Sequence, residues 1–198
     1  IVFYDRIPFG MEVPNVVVDD YAESFFMVEH LIRSGRKRIV HIQGPDYIYN
    51  TVERARGYKD ALKKFELPLD SSLIIKTGMT FDDGRMAAET LLKRNISFDA
   101  IFTFTETLAL GIMNYLKYNR VQIPAEVAVA SFSGTSLSTV VYPQLTSIEQ
   151  PKKMMGETAA NLILEKITTP SIPNKRIVLS SEIKLRASTE GLPSIYIQ

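Results

Sequence analysis

Cysteine and tryptophan are both absent from this chain, and only two histidines occur. Without cysteine there is no disulfide, no thiolate nucleophile and no thiolate metal site. His30 lies in a segment of helical spacing and His41 in a short apolar run, so neither HExxH nor another zinc-ligand cluster can form. Excess charge is also missing. The 23 Lys and Arg against 22 Asp and Glu leave a formal net charge of +1, too balanced for a surface built to neutralise phosphates. No apolar run approaches the roughly 18 residues of a membrane helix. The opening Ile1–Asp5 lacks the basic and apolar regions of a secretory leader. Glycine-rich phosphate loops are missing too, and Ser131-Phe132-Ser133-Gly134 is not a G-x-S-x-G elbow. The expectation is a protein without resident metal or cofactor, and not an enzyme.

What is present is a patterned core. Short apolar runs at Ile1–Tyr4, Val16–Val18, Ile39–Ile42, Leu73–Ile75, Ala100–Phe104, Val127–Phe132 and Ile177–Leu179 read as buried strands. Between them lie helical spacings: Phe25, Val28 and Ile32; Tyr58, Ala61, Leu62 and Phe65; Leu108, Ile112, Tyr115 and Leu116; Met155, Ala159, Leu162 and Ile163. Strands separated by helices imply right-handed crossovers and parallel pairing, an α/β fold with doubly wound parallel sheets. Ligands in such folds bind beyond the carboxyl ends of the strands. Those ends are Gly44–Asn50, Thr77–Thr80, Thr103–Thr107 and Phe132–Ser136. The chain opens without Met directly in a strand-like run, and the expectation is that it starts part-way along a longer protein.

Few side chains offer chemistry. His41 reads as a core histidine. Asp19-Asp20 and Asp82-Asp83 each precede a helix, where capping and the helix dipole account for acids. Arg54 is different, because an Arg near a helix amino terminus opposes the dipole and its planar fork suits hydroxyls or a carboxylate. The alternative is a surface Arg paired with Glu53 or Asp60. Arg56, two positions along, points to another face. A catalytic base would have to come from Asp5, Glu106 or Asp82.

Four blocks in order then carry a resemblance. They are Val16–Asp20 with Glu29-His30-Leu31-Ile32-Arg33-Ser34-Gly35, ending at Gly44-Pro45; Arg54-Ala55-Arg56-Gly57-Tyr58 with Ala61-Leu62; Asp99-Ala100-Ile101-Phe102 leading to Leu108-Ala109-Leu110-Gly111; and Pro143-Gln144-Leu145-Thr146-Ser147-Ile148-Glu149-Gln150-Pro151 with Met155-Gly156 and Ala159. Together they resemble the effector-binding domain of the lac-repressor (LacI/GalR) family of transcription regulators, a periplasmic-binding-protein-like fold of type I. The resemblance implies two subdomains with an effector in the cleft. Residues 1–19 and 149–179 would belong to an incomplete amino-terminal subdomain, 20–148 and 180–190 to the carboxy-terminal one, and 191–198 to a tail. The DNA-reading headpiece and the first units of the amino-terminal subdomain would lie outside this chain.

Carried over position by position, the family's effector contacts fall at Asp5, Arg54, Asn50 (with Ile48 beside it), Met79, Thr105 and Ser133. Met79 stands where an aromatic often stacks, Thr105 where an Asn is usual, and Ser133 where an Asp is usual. Hydroxyls thus replace an amide and a carboxylate, and a thioether replaces a ring. Each has a simpler reading: Met79 as core, Thr105 as a helix cap, Ser133 as turn chemistry, Asp5 as a partner of Arg6. The resemblance also implies a cytoplasmic homodimer, with Leu110, Met113, Val141 and Tyr142 near its two-fold, unless they are buried internally. It implies a small, sugar-like effector and allosteric control of DNA binding. The alternative is the solute-binding protein of a sugar transporter, monomeric and secreted.

Overall fold

The computed structural model describes residues 1–190, and the expected tail at 191–198 lies outside the described residues. Two sheets organise the chain. A three-stranded parallel sheet is ordered β1 (Phe3–Tyr4), β2 (Asn15–Val18), β8 (Arg176–Leu179). A six-stranded sheet is ordered β4 (Ile74–Lys76), β3 (Ile39–Gln43), β5 (Ala100–Thr103), β6 (Ala128–Ser131), β7 (Thr146–Glu149), β9 (Glu182–Lys184). All its pairings are parallel except β7 with β9. The chain passes between the sheets after β2, after β7 and after β8.

The helices are α1 (Asp20–Arg33), α2 (Tyr49–Lys64), α3 (Phe81–Lys93), α4 (Glu106–Tyr118), the single turn α5 (Leu137–Val140) and α6 (Lys152–Thr168). Helix α1 packs along α2, and α3 along α4. The second pair is close because two glycines permit it. A Cβ on Gly111 would lie 2.0 Å from the Phe81 carbonyl, and one on Gly84 2.2 Å from that of Leu108. Helix α3 begins with a capping box, in which Thr80 Oγ1 accepts from the Asp83 backbone N–H and Asp83 accepts from that of Thr80.

Several expected strands shift. Ile1 is exposed and only Phe3–Tyr4 pair, because β1 is an edge with one neighbour. Leu73 ends a 3-10 turn (Ser71–Leu73) opened by Asp70, so β4 begins at Ile74. The polar β7 is not among the apolar runs, yet Thr146 and Ser147 are fully buried. Their hydroxyls are satisfied from the last described segment. Thr146 Oγ1 donates to the Arg186 carbonyl at 3.0 Å, and Ser147 Oγ accepts from Arg186 Nη1 at 2.9 Å.

His41 is fully buried between the rings of Tyr58 and Phe102, at centroid distances of 5.0 and 5.5 Å. The Phe102 carbonyl lies 3.2 Å from its Nδ1. Burial pushes the imidazole down to about 4, so it is neutral and structural. One apolar cluster includes Val16 and Val18 of the small sheet, Met155 and Leu162 of α6, and Tyr58, Phe102 and Phe132 around the large sheet. A second fills the space beneath α3 and α4.

Candidate functional site

The cleft residues meet where the small sheet, the β6 end and the amino end of α2 converge. Asp5 follows β1 with φ 60, and Ser133 follows β6 with φ 62. Short polar side chains tolerate this left-handed backbone better than most. Both reach the same residue, Gln150, as the chain leaves β7. Gln150 Nε2 donates to Asp5 Oδ1 at 2.9 Å, and Ser133 Oγ donates to Gln150 Oε1 at 3.0 Å. Lys152 Nζ donates to the Gly134 carbonyl at 2.9 Å. A recess of about 340 Å³ opens here, lined by Tyr4, Asp5, Gln150, Lys152, Met155 and Gly156.

Behind it lies a buried polar network. Arg54, on the first turns of α2, is not a surface residue paired with Glu53 or Asp60. Arg56 takes Glu53 at 2.5 Å, and Tyr21 takes Asp60 at 3.1 Å. Arg54 Nε instead donates to Asp20 Oδ1 at 2.7 Å, and Nη1 to the Phe104 carbonyl at 2.6 Å. The guanidinium carbon sits 3.6 Å from the Phe132 ring centroid and 4.6 Å from that of Phe104. Asn50 Nδ2 donates to Asp20 Oδ2 at 2.8 Å and to the Asp5 carbonyl at 3.1 Å. Burial pushes the Asp20 carboxyl up and the Arg54 guanidinium down, in both cases against the pull of the partner. Among the described residues, Arg54 Nη2 donates to no protein acceptor.

Capping explains only half of the Asp19-Asp20 pair. Asp19 caps α1, accepting from the Ala22 backbone N–H at 2.9 Å, while Asp20 turns inward to Arg54. Thr105 occupies the cap position of α4 without making a side-chain cap bond. Its Oγ1 is buried and unpartnered. Met79 is half-buried, and its Sδ receives Arg6 Nη2 at 3.8 Å. Ile48 is buried at the head of α2. Asn50 and Arg54 are thus joined through Asp20, Asp5 is tied to Asn50 through its backbone carbonyl, and Asp5 and Ser133 meet through Gln150. No hydrogen bond ties the Thr105 side chain to them. Asp20 and Gln150 were not singled out from sequence. The signals were the second acid of a pair and a Gln in the Pro143–Pro151 block.

Along α4, Leu110, Met113, Val141 and Tyr142 line one groove of about 550 Å³ with Phe81 and Lys117. Tyr142 is 67% exposed but Met113 only 3%, so Met113 is wall rather than surface. Lys117 Nζ donates to the Tyr142 carbonyl at 2.9 Å. No described helix is long and apolar enough to cross a membrane.

Two largely parallel sheets, linked by three passages and meeting at a polar cleft beyond strand ends, define a doubly wound α/β architecture. A profile of the periplasmic binding protein-like domain matches residues 28–189. The chain belongs to this family, in the form found in LacI-family transcription regulators. It is 32% identical over 180 residues to catabolite control protein A of Priestia megaterium, covering 90% of this chain and 54% of that protein. It is 29% identical over 188 residues to the transcriptional regulator CelR of Thermobifida fusca, covering 93% of this chain and 55% of that one. Among solved structures, the CelR–cellobiose complex superposes with a TM-score of 0.89 at 29% identity, covering 94% of this chain and 58% of that chain. The regulator CcpA of Lactococcus lactis superposes with a TM-score of 0.90 at 27% identity, covering 96% and 69%. These relatives are transcription regulators rather than enzymes. The chain spans about half the length of the curated relatives it matches.

Proposed function

We propose that this chain is the effector-sensing part of a bacterial, cytoplasmic, DNA-binding transcription regulator. A small polyhydroxylated molecule, sugar-like in its chemistry, binds in the cleft between the two sheets, which we infer to be the two subdomains. DNA is read by a segment outside this chain. The carrying observation is the convergence of the Asp5 carboxylate and the Ser133 hydroxyl on the Gln150 amide at the recess, with the buried Arg54–Asp20 pair behind them. Paired donors and acceptors of this kind suit vicinal hydroxyls. Self-association through the Leu110–Tyr142 groove would let the cleft control the spacing of two DNA-reading segments. That a CelR relative was solved with cellobiose supports a saccharide ligand.

The test is a thermal-shift screen of the full chain against mono- and disaccharides that include cellobiose and ribose. A binder at about 100 times its Kd adds roughly 2.7 kcal/mol of stability. Asp5→Asn, at the partly exposed rim, is expected to erase that gain without lowering the melting temperature of the unliganded chain. A panel in which no member shifts the transition rejects the saccharide reading. A native-size gain in Asp5→Asn rejects the site.

A further inference from the structure

Glu106 is used neither by the cleft nor by any capping role, yet it is only 4% exposed and both carboxylate oxygens are occupied. Oε1 accepts from the Thr135 backbone N–H at 2.9 Å and from the Ser138 hydroxyl. Oε2 accepts from the Thr135 hydroxyl at 2.6 Å. Thr135 Oγ1 in turn accepts from the Leu137 backbone N–H at 3.1 Å. None of these donors is a cation. A carboxylate desolvated among neutral donors is tolerable only while all of them stay in place, so it enforces the geometry of whatever carries them.

All of them belong to the loop between β6 and β7. That loop carries Ser133 in the cleft and, further along, Val141 and Tyr142 in the groove. Its far end is tied to the same helix, since Lys117 donates to the Tyr142 carbonyl at 2.9 Å and lies 5.6 Å from the Tyr142 ring centroid. Helix α4 carries Thr105 before its first turn and Leu110 and Met113 on its groove side.

We propose that Glu106 is a positioning residue that locks residues 133–142 onto α4, so that Ser133 in the cleft and Tyr142 in the groove move as one body. The inference rests on the reading of cleft and groove given above. A displacement of Ser133 by ligand is then delivered directly to the self-association surface, and by linkage self-association biases the cleft equally.

Two substitutions test it in the full chain. Glu106→Gln keeps the shape but places an NH2 opposite one donor, and Thr135→Val removes the hydroxyl while leaving α4 untouched. Backbone hydrogen exchange and sedimentation velocity are the readouts. In both variants, amides of residues 135–142 are expected to exchange roughly tenfold faster while those of α1 and α2 keep native rates. The self-association constant is expected to weaken by roughly tenfold. Thr135→Ser, which retains the hydroxyl, should restore both. Exchange that rises uniformly across all helices shows a merely structural role and overturns the proposal. Native self-association in both variants also overturns it. Tyr142→Ala separates the two possible failures. If it weakens self-association and Glu106→Gln does not, only the locking role fails. If neither does, or if the native chain stays monomeric, the groove reading fails and the proposal with it.

Discussion

Arg54 and Asp20 show how burial converts a surface-type pair into a structural commitment. Their side chains are 3% and 6% exposed, and each carries a charge that only the other neutralises at hydrogen-bond distance. Removing one partner strands the other. Arg54→Met is expected to cost about 3–5 kcal/mol in urea unfolding, and adding Asp20→Leu should return much of it. A single-variant loss below about 1 kcal/mol would contradict a desolvated pair. His41 predicts a pH dependence. Its folded value of about 4 lies below its ordinary value of 6.5, so between these the unfolded chain binds more protons. Stability therefore falls as pH drops from 6.5 toward 4, by roughly 3 kcal/mol in all. His41→Phe keeps the ring stack and should flatten that slope in chemical denaturation at pH 6.5 and 4.5. At this scale the sequence was only partly legible. Arg54 stood out because it opposes the dipole of its helix, and His41 because it sits in an apolar run. Asp20 did not, since two acids before a helix both read as caps, and a turn of about 100° per residue decides which one faces inward.

Elements were easier to read than side-chain roles. The helices declare themselves by apolar spacing, and the central strands by short runs rich in Val, Ile and Ala. Strand β7 escaped because half of it is hydroxyl-bearing. Thr146 and Ser147 are buried only because Arg186 and Ser188 come back to satisfy them, a partnership some 40 residues distant that no local pattern encodes. The α3–α4 contact makes a sharp prediction. In Gly111→Ala the new methyl would meet the Phe81 carbonyl, a backbone atom that cannot swing aside. Against the usual gain from Gly to Ala in a helix, this substitution is expected to destabilise by about 1–3 kcal/mol in thermal melts. The separation of Phe81 from Leu110 should widen the groove. A neutral or stabilising outcome would show that the helices are less tightly apposed than their glycines require.

For the whole molecule, the alternation of strand and helix was enough to read a doubly wound α/β fold, and four blocks in order gave the family. The cleft was legible as a location beyond strand ends, with Asp5, Asn50, Arg54 and Ser133 gathered there. What joins them was not, because Gln150 and Asp20 act through backbone passages between sheets that lie far apart in sequence. Those passages have another consequence. The apolar cluster that starts at Val16 and Leu162 continues to Phe102 and Phe132 without a boundary at the cleft. The small sheet owns no core that could persist alone, because Val16, Val18, Met155 and Leu162 are buried in the same cluster as Phe102 and Phe132 of the large sheet. The chain should therefore melt cooperatively, with one calorimetric transition whose van't Hoff and calorimetric enthalpies agree. Two resolved transitions would mean that the lobes are thermodynamically independent. If they are not, ligand that steadies one side of the cleft raises the melting temperature of both.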